Sequence, residues 1–145
     1  MKRKKIIPIV VTIALLVVFA SCKKETIVEE QHLPVEITNY ISAHFPTSTI
    51  TKAVKEKDGN DLYEISLSSG AKLEFNKSNE VIDIDGVSKL PDSVIPNSLL
   101  NYASSNYPTN YIIGWERKTA NQEIELNNAI VIVFTLSGDF LRVDD

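Results

Sequence analysis

The segment Leu33-Pro34-Val35-Glu36-Ile37-Thr38-Asn39-Tyr40-Ile41-Ser42-Ala43-His44-Phe45-Pro46 aligns without a gap with Ile95-Pro96-Asn97-Ser98-Leu99-Leu100-Asn101-Tyr102-Ala103-Ser104-Ser105-Asn106-Tyr107-Pro108. The match continues: Thr47 and Ile50 recur as Thr109 and Ile112, Leu73-Glu74-Phe75 as Ile132-Val133-Phe134, and Val81–Asp85 as Phe140–Asp144. Self-similarity of this kind fixes architecture before any local propensity does. The spacing shortens by three residues opposite Lys57-Asp58-Gly59-Asn60-Asp61, a stretch that reads as a turn because Gly, Asn and Asp tolerate left-handed backbone. The chain is an internal duplication, with repeats 33–88 and 89–145.

Within each copy the order of elements is legible. Pro34 suits the first turn of a helix, Ile37, Tyr40, Ile41 and Phe45 recur at helical spacing, and Pro46 disfavours helical backbone at Phe45; Leu99, Tyr102, Ala103 and Tyr107 repeat the stripe before Pro108. Strands are predicted at 50–56, 62–67, 71–76 and 81–85, and again at 111–118, 123–126, 129–135 and 140–144. Tyr63, Ile65 and Leu67 alternate with Glu64 and Ser66, and Leu73 and Phe75 with Lys72 and Glu74, the pattern of a sheet with one buried and one wet face. Hairpin turns fall at Ser68-Ser69-Gly70, Asn76–Asn79, Asn127-Asn128 and Ser137-Gly138-Asp139. The predicted fold class is α+β: two tandem repeats of one helix plus a four-stranded antiparallel meander, the helices packed on one face of the sheet.

A different kind of segment precedes the repeats. Lys2-Arg3-Lys4-Lys5 is followed by an uncharged run of 15 residues, Ile6 to Ala20, and then Ser21-Cys22. That run is short of the roughly 20 residues a membrane-crossing helix needs and has the form of an export signal. Phe19-Ala20-Ser21-Cys22 resembles the lipobox of a lipoprotein signal, with Phe19 where Leu is commonest; the resemblance implies removal of residues 1–21 and a lipid on Cys22. Cys22 is the only cysteine, so no disulfide forms within the chain, and lipidation accounts for a lone thiol on an exported protein.

Loss of residues 1–21 removes four basic residues and no acidic ones, leaving 11 Lys and Arg against 19 Asp and Glu, formally −8. So acidic a domain is no partner for nucleic acid or anionic lipid, which recruit clustered Lys and Arg. Membrane attachment then rests on the lipid. Residues 22–32 lack periodicity and apolar density and read as a lipidated Cys with a flexible tether; residues 33–145 form one domain long enough to bury a core.

The Leu-Pro opening through Tyr40-Ile41 and His44-Phe45-Pro46, followed by Tyr63-Glu64-Ile65-Ser66-Leu67, Gly70, Glu74-Phe75 and Ile82-Asp83-Ile84-Asp85, resembles the PepSY-like lipoproteins, also called beta-lactamase-inhibitor-like. The resemblance covers residues 33–145 and implies a tandem helix-plus-sheet fold that presents a surface to another protein. By fold-level analogy it points to regulation or inhibition rather than chemistry.

The residues themselves argue against catalysis. A nucleophile needs a base held by a third group, and the only histidines are His32, in the predicted tether, and His44 at a helix end. A zinc site wants several His or Cys ligands. Glu80, Asp83 and Asp85 in one copy and Asp139, Asp144 and Asp145 in the other are carboxylate groups, but Asp83-x-Asp85-Gly86 lacks the remainder of a calcium-loop pattern. Solvated strand residues explain them.

The copies differ most at Tyr111, Ile113 and Trp115, which replace Thr49, Thr51 and Ala53. Simple alternation puts these three on one face of a strand: either an aromatic anchor for a partner or a strand packed under a helix. The apolar run Ala129–Phe134 has the same two readings, a covered central strand or an exposed patch. The resulting expectation is a lipid-anchored Gram-negative envelope protein, facing the periplasm or the cell surface. Its non-catalytic, cofactor-free and metal-free domain binds a protein or peptide through the sheet, with Tyr111, Ile113, Trp115 and Tyr63 as partner-binding residues. The alternatives are a small-ligand or cation binder with a cleft lined by Tyr63, Tyr111 and Trp115, and a structural component of the envelope.

Overall fold

A computed structural model describes residues 25–56 and 62–144; Cys22, the leader and the turn expected at 57–61 lie outside the described residues. The chain runs through β1 (Glu25–Ile27), a 3-10 turn at Glu30–His32, α1 (Val35–His44), β2 (Ile50–Glu56), β3 (Leu62–Leu67), β4 (Lys72–Phe75) and β5 (Val81–Asp85). A second 3-10 turn at Asp92–Val94 follows, then α2 (Asn97–Asn106), β6 (Ile112–Arg117), β7 (Asn121–Leu126), β8 (Val131–Thr135) and β9 (Phe140–Asp144).

The predicted fold class needs correction. The chain does not build two repeats of helix plus four-stranded meander; it is mostly one antiparallel sheet of nine strands in the order β1 to β9, with only two α-helices among the described residues. Asp83, Ile84 and Asp85 of β5 pair with Glu116, Trp115 and Gly114 of β6, so the sheet is continuous across the junction of the repeats. The physical reason is the edge: an unpaired strand presents a row of free N–H and C=O groups, and joining β5 to β6 satisfies them. Residues 25–27, expected to be tether, pair with Val54, Lys55 and Glu56 of β2.

Both helices begin directly after a proline, Pro34 or Pro96, each with φ −54°. Both end at an aromatic residue whose N–H reaches back into the last turn, Phe45 to the Ile41 carbonyl and Tyr107 to that of Ala103, each at 2.8 Å. Ile37 and Ile41 of α1 and Leu99 and Ala103 of α2 are buried in one core with Ile65, Leu73, Phe75, Ile84, Ile124, Ile132 and Phe134 of the sheet. The duplication shows in the packing too. Tyr40 meets Phe75 edge-on at 5.7 Å between ring centres, and Tyr102 meets Phe134 edge-on at 5.3 Å.

The apolar run 129–134 divides between a turn and β8. Ile132 and Phe134 enter the core, whereas Val133, also buried, lies on the opposite face between Glu123 and Arg142.

Candidate functional site

A β-bulge changes the predicted face of the aromatic cluster. Ile112 pairs with Leu126 and Gly114 with Glu125, leaving Ile113 as the extra residue. An inserted residue breaks strict alternation, so Ile112 and Trp115 both turn into the core. The expectation that Tyr111, Ile113 and Trp115 share one partner-facing surface is therefore corrected. Trp115 is 7% exposed and its indole N–H donates to Gln122 Oε1 at 3.2 Å; it has no surface to offer a partner. Gln122 is buried as well and donates to the carbonyls of Thr135 and Leu136. Ile113 is half-buried. Tyr63 is partly buried against the core, with the Lys55 ammonium 5.1 Å from its ring centre.

Tyr111 alone of the four is exposed, 43% of its surface. It stands just before β6, its N–H donating to Asn127 Oδ1, at the rim of a hollow of about 310 Å³ walled by Leu90, Ile95, Leu100, Ala103 and Ile112. A smaller hollow at the corresponding place in the first repeat is walled by Thr38, Ile41, Phe45, Thr49 and Ile50. Leu100 and Tyr111 line the second-repeat version where Thr38 and Thr49 line the first.

The feature not foreseen lies on the face of the sheet away from the helices. In register across five adjacent strands stand Glu64, Glu74, Asp83, Glu116 and Glu123. The row is bracketed by Val54 on β2 and Val133 on β8. A parallel row places Asp85, Gly114 and Glu125 side by side. Because Gly114 carries no side chain, a hollow of about 220 Å³ opens among Asp83, Asp85, Glu116, Glu123 and Glu125, floored by backbone of β5 to β7. A β-carbon on Gly114 would come within 3.3 Å of Glu125 Cβ.

Carboxylates directly opposite one another on a sheet repel, and the electrostatics record it. The Asp83 carboxyl is pushed up to about 6, first by burial and then by the charges of Glu74, Glu116 and Asp85. Lys118 relieves one end of the row, its ammonium 2.5 Å from Glu123 and 3.3 Å from Glu116. Among the described residues no Lys or Arg forms an ion pair with Asp83. Each carboxylate was visible as the polar partner in an alternating strand; their alignment was not, since it depends on strand order and register.

His44 sits at the end of α1, its ring 4.4 Å from that of Tyr40 and its Nδ1 2.9 Å from the Ser93 hydroxyl. It ties the first helix to the 3-10 turn of the second repeat. Among the described residues no group of three or more His, Cys, Asp or Glu side chains converges to hold a metal ion, and no helix is long and apolar enough to cross a membrane.

The continuous sheet thus carries its helices on one face and an open acidic row on the other. The family model described as "Putative beta-lactamase-inhibitor-like, PepSY-like" matches the chain twice, over residues 19–83 and 61–142, and the chain belongs to that PepSY-like family. A search of curated proteins finds no match. Among solved structures, a "putative periplasmic protein" of the DUF2874 family from Bacteroides vulgatus is similar at TM-score 0.80 and 25% identity, over 86% of this chain and 99% of the other. A "putative calcium-regulated periplasmic protein" from Bacteroides thetaiotaomicron is similar at TM-score 0.79 and 25% identity, over 83% and 97%. A further Bacteroides vulgatus "periplasmic protein of unknown function" is similar at TM-score 0.78 and 28% identity, over 83% and 99%.

Proposed function

We propose that the chain is a non-catalytic periplasmic protein, held to a membrane by lipid on Cys22, whose open sheet face takes up a positively charged segment of a protein partner. The observation that carries the reading is the row Glu64, Glu74, Asp83, Glu116 and Glu123, in register on five strands. Opposed like charges lower the stability of the free protein, and a basic strand or loop laid across them relieves the repulsion on binding. Recognition of this type acts mainly on association rate and choice of partner, and it weakens with salt. The periplasmic descriptions of the similar structures support the compartment.

The test is a pull-down from detergent-solubilised native envelope, comparing wild type with Asp83→Asn/Glu116→Gln. The reading expects a partner that wild type retains, that salt elutes and that the neutralised variant loses. Equal recovery by both baits overturns it. Retention of [³H]palmitate by Cys22→Ser would separately overturn the lipid anchor.

The calcium description of one similar structure raises a second reading, a bound divalent cation. The described residues do not fit a closed cage of that kind, because their carboxylates line up across a sheet instead of converging on a point. Calcium ordinarily takes six to eight oxygens from a converging set. A calcium titration followed by Trp115 fluorescence distinguishes the readings, since saturation at micromolar ion would favour the cage.

A further inference from the structure

The internal repeat aligns β9 with β5, and β5 carries a further strand on its far side. In the first copy, Asp83, Ile84 and Asp85 of β5 form the edge onto which β6 docks antiparallel, with Ile84 opposite Trp115 at the centre. The equivalent residues in the second copy are Arg142, Val143 and Asp144, which pair with Val133, Ile132 and Val131 on one side, as Asp83, Ile84 and Asp85 pair with Glu74, Leu73 and Lys72. On their other side no strand among the described residues pairs with them. This edge keeps few of the usual guards against pairing: it has no proline, and Phe140, Leu141 and Val143 are 44%, 49% and 37% exposed. The opposite edge, β1, has three of the described residues.

The substitutions between β5 and β9 choose the occupant. A strand reading Asp-Ile-Asp is poorly suited to pair with itself, because antiparallel pairing about its centre sets Asp against Asp twice. The Arg-Val-Asp of β9 is self-complementary. A twofold axis through Val143 sets Val143 beside its own copy and places Arg142 opposite Asp144 of the partner subunit, twice, on the acidic face. Arg142 and Asp144 now satisfy each other within the strand, Nε to Oδ1 at 2.8 Å and the second guanidinium nitrogen to Oδ2 at 3.0 Å, so pairing exchanges two internal bridges, one in each copy, for two between strands. We propose that β9 is the docking edge for a second copy of this chain, joined antiparallel and isologously so that two acidic faces form one continuous surface. The inference is independent of what the acidic face binds.

The test is disulfide trapping of full-length Val143→Cys in the envelope. Wild type, whose only cysteine is Cys22, sets the background. Opposed residues of antiparallel strands lie close enough for a disulfide, so a covalent homodimer is expected. Adding Arg142→Asp, which opposes two pairs of like charges, should lower the trapped fraction on the order of tenfold. Adding Asp144→Arg to that variant should restore it. Circular dichroism checks that each variant is folded. A folded Val143→Cys that gives no homodimer, a yield indifferent to Arg142→Asp, or a cross-link only to a different protein would each overturn the proposal.

Discussion

The two halves of the sheet share an inner side and have parted company on the outer one. Inside, Tyr40 on Phe75 and Tyr102 on Phe134 repeat the same edge-to-face contact. Leu67 and Leu126, and Ile65 and Ile124, hold equivalent buried places. Outside, Lys52 has become Gly114, Val54 has become Glu116, Glu74 has become Val133 and Asp83 has become Arg142. Core positions resist change because any altered volume is felt by close-packed neighbours, whereas the outer face has varied between the copies, Val54 and Val133 being buried there even so. The acidic row belongs to neither half: Glu64, Glu74 and Asp83 come from one and Glu116 and Glu123 from the other, joined at the β5–β6 seam. A surface of this kind arises only when the copies fuse into one sheet.

The strongest way to break the comparison is through the shared frame. Phe75 and Phe134 are both fully buried, so Phe75→Ala and Phe134→Ala should each cost about 3–5 kcal/mol in urea unfolding. Similar losses would show that both repeats carry the core. A loss below about 1 kcal/mol for one of them, against the scale of that series, would make the halves energetically unequal.

A smaller effect probes where the inner sides differ. The aromatic bulk sits on Tyr63 beside Ala53 in the first copy but on Trp115 beside Gln122 in the second, as if one ring had moved to the neighbouring strand. Trp115→Phe keeps most of the volume and removes the donor to Gln122 Oε1. An abandoned buried acceptor costs about 1–3 kcal/mol, read by thermal melting, while Trp115→Phe/Gln122→Leu should recover much of the loss.

These residues also show where sequence reasoning reaches its limit. Periodicity and proline placement located both helices, and alternation placed Ile65, Leu73 and Phe75 in the core. Alternation failed for Trp115 because a single extra residue, Ile113, reverses the inside and outside of everything after it. A bulge is a property of the pair of strands, and nothing in β6 alone announces it. The acidic row escaped for a related reason: Glu64 and Glu123 lie four strands apart, and only register sets them in one line with Asp83. The strand at 25–27 is exposed throughout and lacks the apolar alternation that would mark it.

Turns give a sharper comparison of opposite sign. Gly70 closes the β3–β4 hairpin with φ +88°, and its counterpart in the β7–β8 hairpin is Ala129 with φ +66°. Left-handed backbone costs a residue with a β-carbon roughly 1–2 kcal/mol, partly offset by the greater entropy glycine loses on folding. Ala129→Gly should therefore stabilise by about 0.5–1 kcal/mol in chemical denaturation. Gly70→Ala should destabilise, the more so because its β-carbon would lie 2.7 Å from a Val87 methyl. If both changes move stability the same way, the two turns are not held in equivalent conformations.

The smallest effect tests the outer face directly. Asp83 has its native carboxyl pushed up to about 6 from an ordinary value of 3.8, by burial first and by Glu74, Glu116 and Asp85 after it. Between roughly pH 4 and 6 the folded protein therefore holds this proton more tightly than the unfolded chain, and stability contributed at this group falls as pH rises through that window. Above it the full cost of an ionised Asp83 is present. Because the side chain is only half-buried, solvent screening brings that cost down to about 1 kcal/mol or less. Asp83→Asn should accordingly melt higher than wild type at pH 7, and the gap should close as the pH is lowered to 4, where the wild-type carboxyl is protonated. Added salt should narrow the gap at pH 7 by screening Glu74 and Glu116 from Asp83. A variant no more stable than wild type at pH 7, with the same pH profile, would mean that the aligned carboxylates do not repel one another in the free protein, and the argument for a cationic partner would lose its energetic basis.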